Sequence, residues 1–344
     1  MDMIEGNVMN RIKGLKEYVR LSKYREALGL PLEQTEAYTL LAQGEYNMNY
    51  IFVHPVSNQK LLLRVNCGSQ MHLDNQIQYE YDALKELESS GRTPKVYYVD
   101  GSLSNLNHGV LVMEYLPGEH LDYKKDLALA AECLADIHSV KLSGIDNLIA
   151  PKEPLKAILE ECEVMVKTYM DSALGKNEVK QYIRKMLDRA WEIAENTQFE
   201  MDYKCCINTE LNSTNFLIDQ TQKIAYLIDW EKPLYGEPAQ DLGHFLAPTT
   251  TFWKTDVILG KEEVERFVED YIEKVAGRFS TEGLVEKVKT YIAVTCLRGI
   301  TWCAMAWVEY QNPDRLIRNE STFQKLEQYL EIQFLCMIDK NYLY

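Results

Sequence analysis

The sequence of 344 residues lacks the short motifs that identify several large enzyme classes. It contains no G-x-G-x-x-G and no G-x-x-x-x-G-K-[ST], which disfavours a Rossmann dinucleotide fold and a P-loop enzyme, and it has no serine nucleophile elbow. Glycine and proline are sparse, at 17 and 10 residues, whereas 46% of the chain is hydrophobic. Wholesale disorder and collagen-like repeats are therefore excluded, and the chain is long enough to divide its core between two lobes.

Basic side chains are also in the minority, with 37 Lys and Arg against 52 Asp and Glu and a formal charge of −15. Such a charge repels polyanions, so we expect a small-molecule substrate and no nucleic-acid partner. It would attract a cationic small molecule, although most acidic side chains simply solvate helix surfaces.

The eight cysteines include no C-x-x-C pair, so zinc-ligand spacing and a dithiol motif are both missing, and we expect buried thiols in a reducing compartment.

No basic patch followed by an apolar run opens the sequence, which predicts no secretory signal and a cytoplasmic location. Residues Tyr291 to Val308 approach the length of a membrane span, but Arg298 lies near their middle. Because a central arginine costs roughly 2.5–3.5 kcal/mol on insertion, we expect a buried helix and no membrane association.

Residues 1–115 are predicted to form a small lobe built on an antiparallel sheet. An amphipathic opening helix is expected between about residues 7 and 28, ended by Gly29-Leu30-Pro31, and a second helix over Gln76–Leu87. Five runs of alternating or β-branched residues predict the strands: Tyr38–Leu41, Tyr50–His54, Leu61–Val65, Lys95–Val99 and Gly109–Tyr115.

Residues 116–344 are predicted to form a larger, mainly helical lobe, which makes the fold class α+β. Helical periodicity covers six segments: Leu127–Val140, Leu155–Met170, Val179–Asn196, Glu262–Val275, Leu284–Tyr310 and Ser321–Met337. The exception is a hairpin whose strands, Asn215–Asp219 and Ile224–Asp229, flank the polar turn Gln220–Lys223.

A polar cluster over residues 208–215 leads into this hairpin, and Asp229-Trp230-Glu231 follows 14 residues after Asn215. Either half alone could be a solvated loop or a strand end. Phosphoryl transfer from ATP needs a carboxylate to orient the attacking hydroxyl, and an amide oxygen and a second carboxylate to hold Mg²⁺. Glu210, Asn215 and Asp229 match these chemical types, with Glu210 as the catalytic base and the other two as metal ligands.

Together, Glu210-Leu211-x-x-x-Asn215 and Ile228-Asp229-Trp230-Glu231 resemble the aminoglycoside phosphotransferase and choline kinase family, whose usual form is H-G-D-x-x-x-x-N and then I-D-W-E. The likeness continues through residues 236–243 and Leu134-Ala135-Asp136-Ile137-His138, and covers roughly residues 38–310. It implies a protein-kinase-like fold with a small β lobe, a hinge and a larger helical lobe. The cofactors implied are Mg²⁺ and ATP or GTP, bound in the cleft.

The resemblance also implies roles for residues of the small lobe. Arg64, in the place of the family's strand lysine, would contact phosphate, and Glu80 would pair with Arg64. Glu114 and Leu116 lie in the segment that resembles the hinge, where backbone groups meet the adenine edge. The turn Gln43–Asn49, which contains a single glycine, occupies the place of the phosphate-covering loop.

In the helical lobe, Asp241 resembles the aspartate that braces the catalytic loop, and His138 is expected to be a buried, hydrogen-bonded helix residue. Trp302, Trp307 and Tyr310 could face a cationic substrate, as aromatic groups do in choline kinases, but core packing is favoured.

The catalytic loop departs from the family form, because Asn208, Thr209 and Glu210 replace His, Gly and Asp. Glutamate reaches about 1.5 Å farther than aspartate, and a β-branched residue does not readily adopt a glycine-only backbone conformation. Two hypotheses follow. One is a phosphotransferase acting on a small-molecule hydroxyl, with an amino-sugar, an amino-alcohol or a sugar as acceptor. The other is a catalytically impaired protein that binds nucleotide or a small ligand, and a purely structural protein ranks behind both.

Overall fold

The computed structural model describes residues 9–144, 147–197, 203–312 and 319–343. Residue contacts divide the chain into two compact units. The first unit comprises Met1–His120, Ser139–Ile149 and Asn215–Leu234, and the second comprises Leu121–His138, Ala150–Thr214 and Tyr235–Tyr344. The predicted α+β, kinase-like fold class is confirmed, whereas the boundary at residue 115 stays a prediction.

The first unit is built on a five-stranded antiparallel sheet, and each of the five predicted runs overlaps one of its strands. The strand order is β1–β2–β3–β5–β4. The bounds are Thr39–Gln43 for β1, Asn47–Val53 for β2, Lys60–Asn66 for β3, Val96–Asp100 for β4 and Gly109–Glu114 for β5. Alternate residues of β2 and β3 are buried, so that Tyr50, Phe52, Leu61 and Leu63 enter one core.

The predicted opening helix is wrong, because residues 9–28 form three short pieces. A 3₁₀ turn over Met9–Arg11 is followed by helices α1 (Leu15–Tyr18) and α2 (Ser22–Leu28). Gly14 has φ 89°, a left-handed conformation that interrupts a helix, and Gly29 ends α2 with φ 67°. The start of the predicted helix, residues 7 and 8, lies outside the described residues. So do the first five residues, for which the sequence predicts no secretory signal.

A buried ion pair fixes this segment to the unit. The guanidinium of Arg25 donates to both carboxylate oxygens of Glu36, at 2.8 and 3.0 Å, and neither side chain is exposed. Burial alone would raise the pKa of Glu36, but hydrogen bonds from Arg25 and the backbone outweigh it and hold that pKa below its ordinary value.

Helix α3 spans Gln76–Leu87, as predicted. The side chain of Asn75 caps its first turn by accepting from the backbone N–H of Gln78. Its buried residues follow helical spacing, and Glu80 lies among them, so this carboxylate is placed on the inner face of the helix: Gln76, Ile77, Glu80, Ala83, Leu84 and Leu87.

The predicted hairpin is present and belongs to the first unit. Its strands are β8 (Phe216–Asp219) and β9 (Ile224–Leu227), with Phe216 opposite Leu227 and Asp219 opposite Ile224. A two-residue strand, β6 (Glu119–His120), pairs with β8. A further two-stranded sheet joins β7 (Cys205–Ile207) to β10 (Leu234–Gly236).

The second unit is mainly helical, and its longest described helix, α10, packs most extensively against α5. The sequence did not predict α7 and α8, which are short and each begin with proline. It predicted α11 and α12 as one helix, although the chain breaks at Leu330 and Glu331. The bounds are Leu127–His138 (α4), Pro154–Asp171 (α5), Asn177–Asn196 (α6), Pro238–Leu246 (α7), Pro248–Lys254 (α8), Lys261–Val275 (α9), Leu284–Tyr310 (α10), Glu320–Tyr329 (α11) and Ile332–Tyr342 (α12).

Helix α10 is the one helix of the described segments that is long and apolar enough to cross a membrane. Within the protein, 67% of its most apolar 18-residue window is buried.

The eight cysteines are all free thiols. Six are buried as expected, but Cys67 and Cys336 are exposed.

Candidate functional site

Arg64 and Glu80, which the family resemblance predicts to form a pair, lie together in the first unit. Arg64 is on β3, where it stands opposite Asn49 of β2, and its Nε donates to Asn49 Oδ1 at 3.1 Å. Its Nη1 donates to the carboxylate of Glu80 on α3, and both side chains are buried. The cation is thus fixed from a strand and a helix at once.

Asp229 also contacts this cation. It follows β9 in the left-handed region, with φ 66°, and its Oδ1 is 3.3 Å from Arg64 Nη1. Its side chain is 41% exposed, whereas that of Glu80 is 1% exposed. The carbonyl of Asn215 accepts from the N–H of Ile228 at 2.8 Å, so the hairpin brings Asn215 and Asp229 to the same end.

Three carboxylates share the Arg64 cation. Burial alone would lower the pKa of Arg64, but Glu80, Asp229 and Glu231 outweigh it and raise that pKa. Burial raises the pKa of Glu80, which Arg64 opposes. Burial, together with the nearby charge of Asp229, raises the pKa of Glu231 to about 8.

Glu231 is a site residue to which the sequence analysis gave no role. Its carboxylate accepts from the side chain of Asn47, and its backbone carbonyl accepts from Gln76 Nε2 at 2.7 Å. Asn47 in turn accepts from Asn66 Nδ2 at 3.0 Å. These bonds tie the segment after the hairpin to the first residue of β2, within the predicted phosphate-covering turn. Its place in Asp229-Trp230-Glu231 was the signal available.

The predicted hinge residues lie at the end of β5. Glu114 donates its N–H to the carbonyl of Lys95 at 2.8 Å, so that N–H takes part in strand pairing. Leu116 follows two residues later and is buried. Contact of these backbone groups with adenine stays a prediction.

In the second unit, Asp241 fixes the backbone of the predicted catalytic loop. Its Oδ2 accepts from the N–H of Asn208 at 2.8 Å, and its Oδ1 accepts from the N–H of Thr209 at 2.7 Å. His138 Nε2 lies 3.2 Å from Asp241 Oδ2, and His138 Nδ1 lies 2.8 Å from the hydroxyl of Tyr271. Asp241 thus has the bracing position that the sequence assigned to it, and His138 is buried and hydrogen-bonded as expected.

Thr209 keeps a left-handed backbone conformation, with φ 69°, at the position where the family form has glycine. This conformation costs a non-glycine residue about 1–2 kcal/mol. The bond to the Asp241 carboxylate is charge-assisted and helps to offset that cost. The loop therefore retains a glycine-type turn in spite of the substitution.

Glu210 is held by a cation that the sequence analysis did not assign to the site. Its Oε1 accepts from Arg298 Nη2 at 3.1 Å, and Arg298 Nε also donates to Glu161 Oε2 at 2.8 Å. The N–H of Glu210 donates to Asn208 Oδ1 at 3.1 Å. Burial alone would lower the pKa of Arg298, but Glu210 and Glu161 outweigh it and raise that pKa. The signal for Arg298 was its position as a lone charge in an apolar run.

The three aromatic residues of α10 have different surroundings. Tyr310 is buried, and Trp307 packs edge-on against Tyr169 with ring centroids 5.8 Å apart, so core packing is confirmed for both. Trp302 is 40% exposed, although its ring packs edge-on against that of Trp253, with ring centroids 5.1 Å apart.

The described residues contain no group of three His, Cys, Asp or Glu that could by itself hold a metal ion. Mg²⁺ does not require one, since it is commonly bound by one or two protein oxygens together with substrate phosphates and water. The amide of Asn215 and the partly exposed carboxylate of Asp229, at one end of the hairpin, fit that requirement.

A small antiparallel β unit, a helical unit and a loop braced by Asp241 are the parts of the kinase-like fold that the sequence predicted. The family model described as "APH: Phosphotransferase enzyme family" matches residues 37–284, well over half of the chain. The chain therefore belongs to this phosphotransferase enzyme family, as the sequence motifs predicted.

Solved structures with the same fold include a putative aminoglycoside phosphotransferase from Ralstonia eutropha, with 13% identity, a TM-score of 0.68 and coverage of 94% of this chain and 98% of that one. Choline kinase from Cryptosporidium parvum has 14% identity and a TM-score of 0.64, and the match covers 98% of this chain and 95% of that one. Spectinomycin phosphotransferase APH(9)-Ia, in complex with ADP and spectinomycin, has 13% identity and a TM-score of 0.62, with 96% and 98% covered. No curated protein matches the sequence.

Proposed function

We propose that this protein transfers the γ-phosphoryl group of ATP, in the presence of Mg²⁺, to a hydroxyl of a small molecule. The observation that carries the proposal is the position of Arg64, fixed by Glu80 and 3.3 Å from Asp229. A buried cation beside a partly exposed carboxylate provides one group for phosphate and one for a divalent ion.

In this proposal Asn215 and Asp229 hold Mg²⁺, which when bound would neutralise charge on the phosphates. Arg64 contacts phosphate oxygens through its planar guanidinium, and Glu80 keeps that group from rotating away. The backbone of Glu114 and Leu116 contacts the base, whether adenine or guanine.

Glu210 is the proposed catalytic carboxylate. It accepts a hydrogen bond from the acceptor hydroxyl and orients the hydroxyl oxygen for attack on the γ-phosphorus. It takes the hydroxyl proton as the new oxygen–phosphorus bond forms and the bond from the γ-phosphorus to the leaving nucleoside diphosphate breaks. Asp241 contributes by fixing the loop backbone at Asn208 and Thr209, immediately before Glu210.

The proposed acceptor is a cationic amino-sugar or amino-alcohol. The formal charge of −15 favours a cation over an anion, and the structural relatives include proteins named for spectinomycin and choline. We propose a cytoplasmic location and no nucleic-acid or membrane partner.

The test is a screen of the purified protein with ATP and Mg²⁺ against amino-sugars, amino-alcohols and neutral sugars, with product detected by mass spectrometry. The proposal expects a phosphorylated product from at least one cationic member and none from Glu210→Gln. If no member of the panel is phosphorylated, or if Glu210→Gln turns over at the wild-type rate, the proposed mechanism is rejected.

A second candidate is a catalytically impaired protein that binds nucleotide without transferring phosphate. It is favoured by one observation, the engagement of the Glu210 carboxylate by Arg298 in a loop that lacks the family's His, Gly and Asp. Glu210→Asp separates the two. Activity that appears only in this variant supports the second candidate, and activity in the wild-type protein excludes it.

A further inference from the structure

Arg298 is the one charged residue between Tyr291 and Val308, and its side chain is only 19% exposed. A guanidinium that is largely removed from water is costly unless carboxylates and hydrogen bonds compensate it. Two carboxylates from different parts of the second unit do so, Glu161 from α5 and Glu210 from the loop after β7.

The two contacts differ in geometry. Glu161 receives two bonds, from Nε to Oε2 at 2.8 Å and from Nη2 to Oε1 at 3.3 Å. A two-point contact of this kind fixes the plane of a guanidinium. Glu210 receives one bond, from Nη2 to Oε1 at 3.1 Å. Glu161 thus anchors the guanidinium of Arg298, and the anchored guanidinium donates one N–H to the carboxylate of Glu210.

This arrangement bears on the length of Glu210. Its side chain has one more methylene than the aspartate of the family form, which moves the carboxylate about 1.5 Å and adds a rotatable bond. An error of about 1 Å in the position of a reacting group can cost 10²-fold in rate. A glutamate at this position therefore needs a fixed partner that an aspartate would not.

We propose that Arg298, anchored by Glu161, is a positioning residue that sets where the Glu210 carboxylate lies during phosphoryl transfer. The inference rests on the proposed function and adds to it a means by which the substituted loop remains competent. Arg298 acts through Glu210 and takes no part in the proton transfer itself. The opposite hypothesis is that Arg298 sequesters Glu210 and suppresses turnover.

The experiment compares Arg298→Met, Arg298→Lys and Glu161→Gln, each with a thermal melt and with kcat and KM measured for both ATP and the acceptor. Arg184→Met is the matched control, because Arg184 also joins two carboxylates of the second unit, those of Glu163 and Asp188. It tests whether the loss of such a bridge is enough to alter turnover.

We expect Arg298→Met to lower kcat roughly 10–100-fold while KM for ATP changes less than about 3-fold. Glu161→Gln should lower kcat by a smaller factor, and Arg184→Met should leave it within about 2-fold. Arg298→Lys should recover part of the lost rate, because lysine keeps the charge but cannot form the two-point contact with Glu161. A further variant, Arg298→Ala, leaves space for a small cation, so millimolar guanidinium should raise its kcat, whereas tetramethylammonium should not.

A kcat of Arg298→Met equal to or above that of the wild type overturns the inference and leaves the proposed function intact, as does an equal fall of kcat in Arg184→Met. A wild-type protein with no turnover of any acceptor rejects the proposed function and, with it, a positioning role. If Arg298→Met does not fold, Arg298→Lys and Glu161→Gln decide the question, since both retain polar partners at the site.

Discussion

Nη1 of Arg64 lies 3.3 Å from Oδ1 of Asp229, so the cation proposed for phosphate is paired with the carboxylate proposed for Mg²⁺. Each group compensates the other's charge in the protein without nucleotide. A bound Mg²⁺-nucleotide would offer both a new partner, phosphate for Arg64 and metal for Asp229. Glu80 remains with Arg64 throughout, because it is buried on α3.

The first prediction concerns the metal. Asp229→Asn keeps the shape of the side chain but removes a charged oxygen ligand, so we expect Mn²⁺ to bind at least ~10-fold more weakly in the presence of nucleotide. Electron paramagnetic resonance of free Mn²⁺ measures this. Asp219→Asn is the control, because Asp219 ends β8 of the same hairpin and its side chain accepts from its own turn, at Thr221 and Gln222. Equal weakening in the two variants would argue against a metal site at Asp229.

The second prediction concerns the buried pair of Arg64 and Glu80. Arg64→Met leaves Glu80 buried without its cation, and breaking a buried pair in this way costs about 3–5 kcal/mol in the free energy of unfolding. Urea denaturation measures this value. The double variant Arg64→Met with Glu80→Leu should recover much of it, because the most deeply buried carboxylate is removed together with its cation, and Asp229 and Glu231 are partly exposed. If Arg64→Met alone costs less than about 1 kcal/mol, the pair is not buried as described.

The third prediction follows from the backbone of Thr209. Glycine at this position relieves about 1–2 kcal/mol of left-handed strain and loses about 0.4–1 kcal/mol through the greater freedom of the unfolded chain. We therefore expect Thr209→Gly to increase the free energy of unfolding by about 0.5–1 kcal/mol. Thr209→Pro, which cannot adopt φ 69°, is the negative control. A loss of stability in Thr209→Gly would mean that contacts of the threonine side chain outweigh its strain.

The fourth prediction concerns acid sensitivity. The pKa of Glu36 is lowered in the folded protein, so its ion pair with Arg25 adds stability above pH 4.5. This contribution is lost as the pH falls through the folded pKa. Glu36→Gln should be less stable than the wild type at pH 7, and the difference should shrink between pH 4.5 and 2. A constant difference over that range would contradict the lowered pKa.

Local patterns and ordered motifs predicted much of the first unit. Helix α3 was predictable because its apolar residues have regular helical spacing. The pairing of Arg64 with Glu80 was predictable from the family resemblance, which places Arg64 at the position of the strand lysine and Glu80 at that of its helix partner. The break in the opening helix was missed, because the spacing of apolar residues continues past Gly14. The backbone of Gly14 is left-handed and interrupts the helix there.

The contact between Glu210 and Arg298 could not be predicted, since the two residues are 88 positions apart and meet only through the packing of α10 in the second unit. Strands of two or three residues, such as β6 and β7, were also out of reach, because they are too short for a periodic signal.

The measurement that most directly tests the account compares the wild-type protein with Glu210→Gln in one preparation, by calorimetric titration with Mg²⁺ and a non-hydrolysable ATP analogue and by phosphoryl transfer to the acceptor found in the screen. We predict the same nucleotide affinity within about 3-fold and a fall in kcat of at least ~10²-fold in the variant. Equal turnover by the two proteins, or no binding of nucleotide by either, would contradict it.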